Sequence, residues 1–116
     1  MMITFSDFNN WEHLSNVVAV SNFAPASYTG HYHKALLPPL QLERNYRNGL
    51  YTDDEYRELY THTVLDSLNP ELIGRDLDGV VLVGYGHNVT TDHRHAIAEW
   101  FRKAGLECQE ITNEMQ

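Results

Sequence analysis

Residues 80–101 read Val-Val-Leu-Val-Gly-Tyr-Gly-His-Asn-Val-Thr-Thr-Asp-His-Arg-His-Ala-Ile-Ala-Glu-Trp-Phe, and the fold is decided by how this stretch is read. Val80-Val81-Leu82-Val83 is apolar at every position, short and β-branched, the pattern of a strand buried on both faces of a parallel sheet. A helix follows. Thr91 or Asp92 can cap it, Ile97, Trp100, Phe101 and Ala104 form its buried stripe, and Gly105 ends it. The segment from Gly84 to Asp92 therefore joins the carboxyl end of a buried strand to a helix N-terminus. Ligands of open α/β sheets bind at such places, because the loops diverge there and the helix start presents unpaired amides with a partial positive charge.

The rest of the chain supplies partners for that strand. Val17-Val18-Ala19-Val20 is a second wholly apolar run, while Met2 to Phe5 and Leu106 to Ile111 are weaker strand candidates, the latter nearer an edge. Between the two strong strands, a helix is predicted from Pro39 to Asn48 with Gly49 as its C-terminal cap. Thr52 and Glu55 form a capping box for the next helix, whose apolar face is Tyr56, Leu59, Tyr60, Val64 and Leu68. Asn69-Pro70 stops it, and Pro70 can open a short third helix at its first position. Strand, helical crossover and strand connect right-handedly. The expectation is one domain over residues 1–116: a small three-layer α/β sandwich, with a mostly parallel sheet of about four strands and helices on both faces.

Composition narrows the function. The chain has 116 residues, enough for one core, and carries 8 Lys plus Arg against 16 Asp plus Glu, a formal net charge of -8. Such a field repels polyanions, so bulk nucleic-acid binding is not expected. One cysteine, Cys108, excludes an internal disulfide framework and a Cys-based zinc cluster, and reads as a small hydrophobe in the sheet. No basic start with an apolar run marks a signal peptide, and no apolar stretch is long enough for a membrane span, so a cytoplasmic protein without membrane partners is expected. The seven histidines include His31-x-His33 and His93-x-His95; on a helix the latter two point to nearly opposite sides, and no HExxH pair supports a metal. Neither metal nor cofactor is expected.

Candidate ligand residues gather on two segments. Ser21 and Asn22 leave the first buried strand directly and should lie beside the exit loop of the second, which carries Tyr85, His87, His93 and Arg94. The Phe23 to Pro38 segment reads as a loop and adds Tyr28 and Lys34. Aromatic faces, amides, hydroxyls and two cations suit a nucleobase or nucleotide, with Arg94 and the helix amides on the anion. Read as a solvated first-turn residue, Arg94 should contribute no more than about 0.5 kcal/mol to stability. The competing reading of Asp92 is a cap that occupies the anion position of its own helix.

The ordered segments Val-Ser-Asn-Phe-Ala-Pro-Ala-Ser-Tyr-Thr-Gly (20–30), Tyr-His-Lys-Ala-Leu-Leu-Pro-Pro (32–39), Val-Leu-Asp-Ser-Leu-Asn-Pro (64–70) and Asp-His-Arg-His-Ala-Ile-Ala-Glu-Trp-Phe (92–101) resemble the domain of unknown function 488 family, together with Phe5-Ser6-Asp7-Phe8 and Glu55-Tyr56. The resemblance spans nearly the whole chain and implies a compact cytosolic α/β protein of bacteria, archaea or phages. The family pattern before the last helix is Tyr-Glu-Lys-Pro, a gap, then Cys-His-Arg-His. Tyr85, His93, Arg94, His95 and Lys34 match it, whereas Gly86, His87 and Asn88 replace Glu, Lys and Pro, Asp92 replaces Cys, and Asn22 stands where an arginine is common. A cysteine at a helix N-terminus is an activated nucleophile and a nearby glutamate moves protons, so this chain keeps the anchoring groups and lacks that chemistry.

Binding is therefore expected over turnover: capture of a nucleotide-like or other small anionic ligand by Ser21, Asn22, Tyr28, Lys34, Tyr85, His87, His93 and Arg94, with sequestration in a phage or defence setting implied by the family's distribution. A hydrolase of an N-glycosidic or phosphoester bond, using Asp92 as base or nucleophile and His93 as acid-base partner, is the enzymatic reading. An acidic protein-protein inhibitor is the third. Monomer and homodimer both fit.

Overall fold

The structure is a computed structural model and describes residues 2–7, 16–84 and 91–110. Five strands, β1 (Ile3–Asp7), β2 (Val17–Ala19), β3 (His31–Tyr32), β4 (Val81–Gly84) and β5 (Cys108–Glu110), form one sheet in the order β3-β2-β4-β1-β5. Every pairing is parallel, with Val18 opposite Leu82 and Phe5 opposite Leu82 in the two central ladders. Among the described residues four α-helices accompany them: α1 (Leu40–Arg47), α2 (Asp53–Thr63), α3 (Pro70–Asp76) and α4 (His93–Lys103). This is the expected α/β architecture, with two differences in the sheet. The weak candidate at the N-terminus is an inner strand, because β1 pairs with both β4 and β5. The segment read as a loop from Phe23 to Pro38 contains β3, whose two residues are both exposed and so carry no apolar signal. The bond from His33 N–H to Ala19 O, 2.9 Å, extends its pairing with β2.

Side chains alternate across the strands. Ile3, Phe5, Val20 and Leu82 join Leu36, Tyr60, Leu65, Leu77, Ile97, Ala98 and Phe101 in the main core, to which all four helices contribute. Ala19 and Val83 face the other way and pack with Tyr28 and Ala24 of the β2–β3 connection, so the described helices pack on the first face, whereas the sequence predicts helices on both. Burying side chains of this size contributes about 1.5–3 kcal/mol each.

Local signals set the helix ends. Thr52 Oγ1 accepts from Glu55 N–H at 3.1 Å and Glu55 Oε1 accepts from Thr52 N–H at 3.0 Å, the reciprocal box expected. Asn69 caps α3 with Pro70 at its first turn, and Asp92 caps α4. Gly105 takes φ of 84°, a left-handed conformation that suits glycine just past a helix. Two expected core positions are corrected. Leu59 is 40% exposed and Trp100 only half-buried; in α4 Ala98 lies against the sheet, while Trp100 tilts over Phe101 at the margin. No helix among the described residues is long and apolar enough to cross a membrane.

Candidate functional site

In sequence β1 is followed by β2, which lies beyond β4, whereas β4 is followed by β5, which lies beyond β1. The chain thus leaves two neighbouring strands in opposite directions. The carboxyl ends of β1 and β4 flank the crevice at which open α/β sheets accept ligands. All six described polar or charged residues classed as buried, Ser6, Ser21, Glu43, Asp92, His93 and Arg94, belong to this rim.

Arg94 fills the crevice. Its Nη1 donates to Ser6 O at 2.5 Å, Nη2 to Asp92 Oδ2 at 2.7 Å, and Nε to Asp92 Oδ1 at 3.0 Å, with no exposed surface on the side chain. The glycine at position 84 makes room for it: a Cβ there would lie 2.7 Å from Arg94 Nε. What approaches the backbone closely at Gly84 is therefore Arg94 itself. The solvated first-turn arginine expected from sequence is corrected to a buried ion pair, because the helix start is set inside the rim rather than on the surface.

Asp92 accepts from Arg94 N–H at 2.9 Å as well as from its guanidinium. Burial works to raise its pKa, but the charge of Arg94, the neighbouring His93 and the bonds from Arg94 outweigh this and hold the carboxyl below its ordinary value. It caps α4 and is neutralised by one cation, which leaves little basicity for a general base.

His93 turns to the other arm of the site. Its Nε2 lies 2.5 Å from Val20 O and its Nδ1 2.9 Å from Tyr56 Oη. A carbonyl can only accept, so Nε2 carries the proton. In the neutral ring Nδ1 then accepts from the Tyr56 hydroxyl. Burial above all, with the negative charges of Glu43 and Asp92, pushes the Tyr56 phenol far up and keeps that proton in place. Tyr46 of α1 stacks on Tyr56 with centroids 3.9 Å apart, and its hydroxyl donates to Asp53 at 2.7 Å.

Ser21 and Asn22 reach the same rim, since Val20 O binds His93, so the two segments chosen from sequence do converge. Their partner is Glu43, which sequence reading missed. Ser21 Oγ donates to Glu43 Oε2 in a short bond, Asn22 N–H to Oε1 at 2.8 Å, and Asn22 Nδ2 to Oε1 at 3.0 Å and to Pro38 O at 2.7 Å. Glu43 is 3% exposed. Its one sequence signal is a place on the inward face of α1, beside Leu42 and one turn before Tyr46, and a lone carboxylate there looks like any surface residue.

The remaining candidates divide. Lys34 stands exposed just past the carboxyl end of β3, on this same rim. Tyr28 is a packing residue of the second face: its hydroxyl donates to His31 O at 2.6 Å and its ring meets Tyr32 edge-on at 5.5 Å. Tyr85 and His87 lie outside the described residues. A surface groove of about 520 Å³ between α2 and α4, lined by Arg57, His62, His95 and Trp100 among others, holds none of the residues chosen from sequence. His95 leaves the rim and pairs with Glu110 at 2.7 Å, on a different side from His93. Among the described residues no group of three or more His, Cys, Asp or Glu side chains is placed to hold a metal ion.

The inner shell is thus solid: each buried charge meets a protein partner, and a ligand would rest on this shell rather than within it. No family model, curated protein or solved structure matches the chain.

Proposed function

We propose that the chain binds a small anionic, nucleotide-like molecule at the carboxyl rim of β1, β2 and β4, and holds it without turning it over. One observation carries the reading: every described polar side chain classed as buried is concentrated at the switch point of the sheet. Ordering charged groups away from water is costly, and clusters of this kind belong to functional sites more often than to plain scaffolding. The cluster makes a rigid floor. Half-buried Asn22 and Tyr46 border it through the bonds of Asn22 to Glu43 and the stacking of Tyr46 on Tyr56, and exposed Lys34 adds a cation just past the carboxyl end of β3.

Hydrolysis has less support. Asp92 is chelated by Arg94, and both nitrogens of His93 are engaged by Val20 O and Tyr56 Oη. Sequestration in a cytoplasmic phage or defence setting rests on the family resemblance of the sequence. The test is native mass spectrometry of freshly purified protein, followed by thermal unfolding with a panel of nucleoside mono-, di- and triphosphates. Binding to the folded state raises the midpoint by mass action, and the bound nucleotide is recovered chemically unchanged. Absence of any co-purified small molecule together with no shift across the panel overturns the proposal; release of base or phosphate replaces it with the hydrolase.

A further inference from the structure

Glu43 takes up the donors of the Ser21–Asn22 turn. Ser21 Oγ spends its one proton on Glu43 Oε2 and accepts from Phe23 N–H at 3.2 Å, and the residue is fully buried. In Asn22 the backbone N–H goes to Glu43 Oε1 at 2.8 Å, and the two protons of Nδ2 go to the same Oε1 at 3.0 Å and to Pro38 O at 2.7 Å. An amide turned the other way would set Oδ1 against a carbonyl and a carboxylate oxygen, so these partners fix its orientation. Oδ1 is what remains. It takes no bond from any described residue, yet it is not sealed from water: Asn22 is half-buried, and the buried side-chain polar atom left without a partner among the described residues is Nδ1 of His33.

We propose that Asn22 Oδ1 determines specificity by accepting a hydrogen bond from the nucleoside part of the bound nucleotide, from an exocyclic amine or a sugar hydroxyl. An amide oxygen can only accept, and an ionised phosphate has no proton to give. A phosphate here would also face the carboxylate of Glu43, whose bonds to Ser21 and Asn22 come from neutral groups, and like charges brought together are costly. The phosphate therefore points away from this turn and the donor-bearing end points toward it. Two bonds hold the amide before the ligand arrives, so little ordering remains to be done on binding. A fixed acceptor of this kind discriminates against an analogue that lacks the matching donor, because the acceptor is then left unpaired.

This inference rests on the nucleotide-binding reading, and titration calorimetry of the full chain separates the two. Adenosine 5′-monophosphate is compared with purine riboside 5′-monophosphate, which lacks the amine, and with the 2′-deoxy and 3′-deoxy analogues, which each lack one hydroxyl. At least one removal is expected to weaken binding by about three- to tenfold, the loss of one neutral hydrogen bond, and it identifies the group that Asn22 meets. In Asn22→Ala the parent nucleotide should bind as weakly as that analogue, while the analogue binds as it does to the wild type. Equal affinity of the wild type for all four nucleotides overturns the contact while the binding reading stands, and this arm decides even if Asn22→Ala fails to fold. Discrimination that persists in Asn22→Ala, or a uniform loss for all four nucleotides, shows a merely structural amide and overturns the assignment. No binding of any of the four by the wild type overturns the contact as well; the binding reading then falls only if the wider nucleotide panel is also silent.

Discussion

Gly84 and Arg94 share one space: a methyl group on the strand residue would sit 2.7 Å from Nε and 2.8 Å from Cδ of the helix residue, both buried. Gly84→Ala should therefore destabilise the protein by about 1–3 kcal/mol through overpacking. Urea unfolding of Gly84→Ala, Arg94→Ala and the double variant provides the check. The two losses should be clearly non-additive, because once Arg94 is truncated the methyl group has room. Simple additivity would mean that the two side chains do not compete.

Removing Arg94 alone is the larger perturbation. It leaves the Asp92 carboxylate buried without its cation and takes a donor from Ser6 O, so Arg94→Ala should cost about 3–5 kcal/mol. The corresponding loss for Arg94→Ala in an Asp92→Asn background should be much smaller. A cost near 0.5 kcal/mol, the value for a solvated arginine, would contradict the buried pair.

The same pair sets a pH dependence. The folded Asp92 carboxyl titrates below its ordinary 3.8, so the unfolded chain takes up the proton first as pH falls. The contribution of the ionised group is fully present above about pH 4–5 and is lost as pH falls through the folded value. Denaturation curves between pH 6 and pH 2.5, read for wild type and Asp92→Asn, should converge at the acid end. Parallel curves would show that Asp92 titrates alike in both states.

The tautomer of His93 follows from its two partners. Nitrogen-15 spectra of the neutral imidazole should show the proton on Nε2, and Tyr56→Phe should cost about 1–3 kcal/mol by leaving Nδ1 buried without a donor. A proton on Nδ1 would require Val20 O to face a lone pair and would refute the bonding scheme.

Cys108 lies half-buried against the core, and burial first, with the acidic groups of Glu110 and Glu99 against the partial relief from Arg102, pushes its thiol up to about 11. At pH 8 it should react slowly with a thiol reagent and quickly after unfolding. Fast labelling of the native protein would show that β5 opens readily.

Much of this fold was legible because its signals are local. The apolar runs at Val17 and Val81, the Thr52–Glu55 box and the Asn69-Pro70 start of α3 depend on neighbours within one turn or on two-residue alternation, and they stand where they were read. By contrast, α2 ends at Thr63 and a separate turn at Leu65–Ser67 follows, so Asn69-Pro70 is not what stops it. β3 was not legible, since two exposed residues acquire strand geometry only from pairing with β2. Trp100 misled for the opposite reason: helical spacing places a residue toward the core side without saying how deep it lies.

The sequence by itself determined an acidic single-core α/β chain, the strand-to-helix join at residues 84–92, and the meeting of the Ser21–Asn22 turn with His93 and Arg94, because hydrophobic period, capping chemistry and parallel connectivity are written along the chain. Only the tertiary structure decided what the charged residues do there. Whether a carboxylate or guanidinium is a hook or a staple depends on which groups from distant segments surround it. Glu43 meets Ser21 across 22 residues and Arg94 meets Ser6 across 88. Desolvation, which separates the two roles, is a property of that assembled environment and of no local stretch of sequence.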